Sequence, residues 1–138
     1  MTPPNRSSRI TLWIGTVVLA LPLFAAGAPK LLGQGGWIAL FAHWGYPAWL
    51  APIVGAAEVL GVALLFVPRL ASAGAAVIAI VMAGAAMTHA THHEGERVVF
   101  TAVLCALALL IGWARSAGFR LPRVARDLRR VPDSPARS

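Results

Sequence analysis

From Pro47 to Val67 the chain is apolar except for one residue, Glu58, which stands near the middle. A helix needs ~20 apolar residues to cross the ~30 Å hydrocarbon core of a bilayer, and this stretch has that length. A carboxylate at mid-depth costs roughly 2.5–3.5 kcal/mol on insertion scales. It is therefore expected to face the interior of a helical bundle and to have a partner or a task there. The stretch points to a membrane bundle with a polar spot inside it.

The rest of the sequence agrees. Hydrophobic residues make up 58% of the chain, and only 12% are charged. That is about half the ~25% of a soluble domain. Apart from Lys30, Glu58 and Arg69, the charges lie before Ile10, between His92 and Arg97, or after Trp113. A soluble core would spread charge along the outer faces of its helices, whereas here whole segments carry none. In 138 residues there is room for one compact membrane domain and no second.

Four apolar runs emerge, at about Ile10 to Leu32, Trp49 to Val67, Leu70 to Ala90 and Val98 to Trp113. The expected fold is all-α, an integral membrane four-helix bundle at residues 10–114. A short N-terminus at 1–9 and a disordered basic tail at 115–138 flank it. Arg6 and Arg9 before an apolar run mimic a signal peptide, and Phe24 to Ala28 resembles a cleavage site. The run is near full spanning length, so it is read as an uncleaved first helix. Pro22 and Pro29 within it are tolerated in membrane helices. Only Pro68 and Arg69 separate the second and third runs, which predicts a tight antiparallel hairpin. Small residues, among them Gly55 and Gly61 on one run and Gly74 and Gly84 on the next, predict close packing of that pair.

Basic residues set the expected orientation. Arg6, Arg9, Arg69 and the tail residues Arg115, Arg120, Arg123, Arg126, Arg129, Arg130 and Arg137 fall on one side, and Lys30 and Arg97 on the other. The positive-inside rule then places both termini in the cytoplasm. The net charge of +7 sits mostly in this tail, so its partners are anionic lipid headgroups rather than nucleic acid. Between the first two runs, Trp37, Trp44, Tyr46 and Trp49 suit a short interfacial helix or an anchored loop at headgroup level. Cys105 is the only cysteine, which excludes an internal disulfide and dithiol exchange by this chain alone. A buried structural thiol is expected.

One pattern runs through these segments. Gly27-Ala-Pro-Lys30-Leu closes the first run, and Phe41 to Pro47 follows. Glu58-Val-Leu-Gly61-Val-Ala-Leu-Leu leads into Pro68-Arg69-Leu-Ala, and an alanine-rich helix ends at His89. In order and spacing this resembles the DoxX family of small four-helix bacterial membrane proteins, over roughly Ile10 to Trp113. The resemblance implies four spans in the cytoplasmic membrane. It also implies polar positions at Lys30, Glu58 and His89, and kinship with proteins linked to quinone-coupled sulfur oxidation or to oxidative and thiol stress.

These residues define the candidate sites. Glu58 and Lys30 suit either a structural ion pair or, with His89, a ligand-binding or proton-carrying site. A His and a carboxylate can bond the carbonyl oxygens of a quinone, the candidate cofactor. His89, His92, His93 and Glu96 would share a face if their helix persisted, and would then suit zinc or copper. A hydrated outer loop is the competing reading, under which no metal binds. No nucleophile with a base, phosphate loop or complete metal signature is present, so catalysis by this chain alone is not supported. Two functions remain open. One is an accessory or scaffold component of a membrane redox assembly, with a membrane or cytoplasmic redox protein as partner. The other is a small transporter or channel component acting as an oligomer.

Overall fold

A computed structural model describes the backbone of residues 6–128 and the side chains of residues 6–116. The described chain is all-helical: α1 (Arg6–Leu31), α2 (Trp37–His43), α3 (Leu50–Leu65), α4 (Ala71–Thr91) and α5 (Gly95–Leu128). Three of them, α1, α4 and α5, are long and apolar enough to cross a membrane. The second predicted span is shorter than expected. α3 has 16 residues, about 24 Å at ~1.5 Å per residue. It packs between α1 and α4, α4 packs on α5, and α5 returns to α1.

The interior follows from helical spacing. Leu19, Leu23, Leu65, Ile78 and Ala108 are fully or almost fully buried. Large apolar side chains also face outward on every long helix, including Ile14 and Phe24 on α1, Leu60 on α3, Ile80 on α4 and Leu110 on α5. Helices that are apolar on both faces suit a lipid surround, where the outer face needs no polar residues.

Two tight turns set the order of the helices. Gly33, Gly35 and Gly36 take positive φ, the left-handed region that glycine enters at little cost, and swing the chain off α1 into α2. α2 is helical rather than an open loop, the first of the two readings of that segment. The second turn, Phe66 to Leu70, is the predicted hairpin, and the amide of Leu70 donates to the carbonyl of Val67. At the same end Trp13 of α1 lies 6.1 Å from Phe66, ring to ring. Arg115 Nη2 there donates to Thr16 Oγ1 at 2.9 Å, and its guanidinium lies 5.0 Å from the centre of the Trp13 ring.

The tail differs from expectation in its first half. α5 continues past Arg115 to Leu128 instead of ending near Trp113. In this stretch Leu121, Val124 and Leu128 recur at helical spacing between arginines, a pattern that favours continuation of the helix. Residues 129–138 lie outside the described residues, as do the side chains of the tail arginines from Arg120 on.

Small residues let α3 and α4 approach, as the sequence predicts. A methyl group on Gly74 would come within 2.7 Å of the Gly61 carbonyl, and one on Gly61 within 2.7 Å of Ile78 Cγ1. Gly84, farther along α4, would meet nothing within 4 Å. Gly74→Ala is therefore expected to destabilise the protein by about 1–3 kcal/mol through overpacking. Gly84→Ala should be neutral or stabilising by up to about 1 kcal/mol, from helix propensity alone. Unfolding in mixed detergent checks both.

Candidate functional site

The last turn of α1 carries Lys30, and the middle of α3 carries Glu58. Packing brings them together inside the protein. Lys30 Nζ donates to Glu58 Oε1 at 2.7 Å and to Oε2 at 2.9 Å. Glu58 is 1% exposed and Lys30 8%. The cation also lies 4.5 Å from the centre of the Trp37 ring, at the start of α2. Two glycines make room for the pair. A methyl on Gly27 would come within 2.9 Å of Glu58 Cβ, and one on Gly55 within 2.6 Å of the Gly27 carbonyl. The ion pair, one reading of these two charges, is present in the structure.

The pair can be tested by a double-mutant cycle. Removing one member leaves an unpaired buried charge, which costs about 3–5 kcal/mol, whereas replacing both by apolar groups of similar size is often neutral. Lys30→Met alone is expected to lower stability by that amount. Lys30→Met with Glu58→Leu should recover most of it.

His89 lies on the last turn of α4. Its Nδ1 is 2.6 Å from Glu94 Oε2, and Arg97 Nη1 donates to the same oxygen at 3.3 Å. The Trp44 ring meets His89 edge-on with centres 5.2 Å apart. Tyr46 Oη and Thr88 Oγ1 are hydrogen bonded at 2.9 Å, tying the segment before α3 to α4. Trp44 Nε1 is buried with no partner in hydrogen-bonding geometry, although the indole is close enough to Glu94 to help keep that carboxyl charged.

His92, His93 and Glu96 do not join His89. α4 ends at Thr91, His92 Nδ1 turns back to the Thr88 carbonyl at 2.8 Å, and His93 takes a positive φ of 60°. Helical register is lost just where a shared face would need it. Among the described residues no three His, Cys, Asp or Glu side chains come together as a metal site would require. Cys105 is half-buried, its thiol directed at the Ala79 carbonyl.

Between the two polar groups lies a cavity of about 490 Å³. Lys30, Glu58 and His89 all border it, with Trp37, Trp44 and Arg97, and its deeper wall is aliphatic, including Leu23, Val54, Met82 and Leu104. The three polar positions singled out in the sequence thus share one space. In the sequence Trp44 and Tyr46 read only as interface anchors, and Arg97 only as a charge that sets orientation. Their role as wall residues depends on how the α2 segment folds over the helix ends, which no periodicity reports.

A model of the DoxX-like family matches residues 14–111. The chain belongs to the DoxX-like family. The matched region holds Lys30, Glu58, His89 and every residue named on the cavity wall. No curated protein and no solved structure matches this chain.

The Glu94 contacts of this DoxX-like protein carry a pH dependence. Burial pushes the carboxyl up, but the His89 hydrogen bond and the charges of Arg97 and His89 outweigh it and hold the group below its ordinary value of 4.5. A carboxyl with a lowered value stabilises the fold above its unfolded value, and the contribution disappears as pH falls through the folded one. The turn from Thr88 to Val98 should therefore keep its protection against amide exchange from neutral pH down to about 4.5 and lose it below. Glu94→Gln should lack that protection at neutral pH.

Proposed function

We propose that this protein is a four-span component of the bacterial cytoplasmic membrane with both termini in the cytoplasm. In this reading it serves a quinone-linked or sulfur- and oxidative-stress-linked redox assembly as an accessory subunit that holds a quinone head. The observation that carries the reading is the mostly aliphatic cavity with polar donors gathered at one end. Pockets for small hydrophobic ligands have this form, an apolar wall with a few placed polar groups.

The donors suit the two carbonyl oxygens of a quinone. Lys30 Nζ gives two of its three protons to Glu58, which leaves one for a ligand. His89 donates Nδ1–H to Glu94, so Nε2 of the neutral ring is an acceptor, suited to the hydroxyl of the reduced quinol rather than to a quinone carbonyl. Trp44 Nε1 is a buried donor for which a carbonyl would be a partner. Glu58, held by Lys30, can exchange a proton with a quinone that is reduced or oxidised elsewhere in the assembly.

α3 is counted as a span although it is short. Its second turn lies beside the end of α1, where Gly55 lies against Leu31, and it ends near the start of α1, where Phe66 lies against Trp13. With its flanking turns it covers most of the length of α1. Arg6, Arg9, Arg69 and Arg115 then share one end of the molecule, and Lys30 and Arg97 the other, which supports cytoplasmic termini.

Two measurements test the proposal. Reporter fusions after Ser138 and at Glu94 should report cytoplasm and periplasm respectively, and the reverse pattern would reject the orientation. Protein purified from native membranes should carry quinone, and Trp44→Phe, which keeps the ring but removes the N–H, should weaken quinone binding roughly fivefold, about 1 kcal/mol. Absence of quinone together with no binding of added quinone would end the quinone reading.

A further inference from the structure

α1 and α5 meet closely at the end that carries Arg115. At the Arg115 end, Arg115 bonds Thr16 and lies over Trp13, and Ile111 Cδ1 stands 3.8 Å from where a Gly15 side chain would begin. Nearer Lys30 the two helices border the cavity instead. Pro22 and Ala26 of α1 line it from one side, and Phe100 and Leu104 of α5 from the other. Phe100 lines the cavity and is also 55% exposed, so one ring faces both the inside and the molecular surface. That surface is apolar, with Phe24 and Val103 exposed on the two helices.

The polar groups are at the opposite side of this opening. Trp37, Trp44 and Tyr46, from α2 and the segment after it, cover the cavity where Lys30 and His89 stand. At mid-height the way out between α1 and α5 passes Pro22, Ala26, Phe100 and Leu104, and the one hydroxyl beside them, that of Thr101, is bonded to the Arg97 and Val98 carbonyls of its own helix. A water-soluble ligand gains nothing from such a path, whereas a molecule already dissolved in the bilayer does.

From this geometry we propose that the gap between α1 and α5 is a lateral portal, through which the cavity is loaded from the bilayer with an amphiphile bearing a long isoprenoid or acyl tail. The polar head sits beneath the aromatic cover beside Lys30 and His89. The tail leaves between Ala26 and Phe100 into lipid. The inference deepens the quinone reading by requiring a lipid-tailed ligand and by naming its route.

The test closes the gap chemically. In a Cys105→Ser background, Ala26→Cys and Phe100→Cys are joined by a reducible bifunctional thiol reagent, and the protein is reconstituted in phosphatidylcholine vesicles. Fluorescence of Trp37 and Trp44 at the cavity reports occupancy, with Trp13, Trp49 and Trp113 replaced by Phe. Cross-linking should slow loading of a decaprenyl benzoquinone from the vesicles at least tenfold, and reduction of the linker should restore it. A tailless dimethoxybenzoquinone added from water should still bind. Long-tailed quinone that loads at the uncross-linked rate would overturn the portal. If neither quinone binds even without the cross-link, the quinone reading fails, and phosphatidylcholine brominated along its acyl chains then probes the portal separately. Quenching of Trp37 and Trp44 that is lost on cross-linking keeps the portal with an acyl-tailed occupant, and quenching indifferent to the cross-link overturns it. A bulky maleimide on Phe100→Cys alone should block as the bridge does, while the same label on Leu110→Cys, exposed on α5 away from the cavity, should not. Equal effects at the two positions would also overturn the proposal.

Discussion

One buried ion pair organises this protein. Neither Lys30 nor Glu58 belongs in hydrocarbon alone, and each makes the other tolerable. Joining them fixes the height of α3 against α1 and the facing edges of both helices. It also brings Gly27 and Gly55 to the crossing, because no larger residue leaves room for the lysine stem and the carboxylate together. Trp37 of the aromatic cover stands over the same cation, and Lys30 and Glu58 both border the cavity.

The apolar interior and the polar cluster do different work. Leu19, Leu65, Ile78 and Ala108 hold the helices at the Arg115 end and through the middle, where packing is close. At the other end the helices spread, and hydrogen bonds replace packing. Tyr46 to Thr88, His89 to Glu94 and Arg97 to Glu94 tie α4, α5 and the segment before α3 around open space. These polar ties at the rim hold the shape of a space that packing does not fill.

The helices and the central pair were legible in the sequence because both rest on one strong physical rule. Long apolar runs have few alternatives to membrane helices, and a charge within one demands compensation, which pointed from Glu58 to Lys30. Gly61 and Gly74 gave away the α3 and α4 contact for a similar reason, since only small residues allow that distance. Other features depended on weaker signals. The end of α4 at Thr91 was not fixed by composition, so His89, His92, His93 and Glu96 kept a metal-like pattern that the turn takes apart. The length of α5 was misjudged because a run of arginines reads as a tail even where apolar residues keep helical spacing. Trp44 and Arg97 were visible as residues but not as walls, because that role comes from the long-range fold of the α2 segment.

The order in which contacts become available matters while the chain is being made. Lys30 and Glu58 are 28 residues apart, whereas Thr16 and Arg115 are 99 apart. The first helix therefore leaves the ribosome with a cation near its end and must wait for α3 before that charge has a counterpart. The two segments gain by partitioning into lipid as a unit, with the lysine held near the membrane surface until the glutamate arrives. The Arg115 contact needs the last helix, so the ring of helices cannot close until nearly the whole bundle has been made, whereas the α1 and α3 contact is available much earlier.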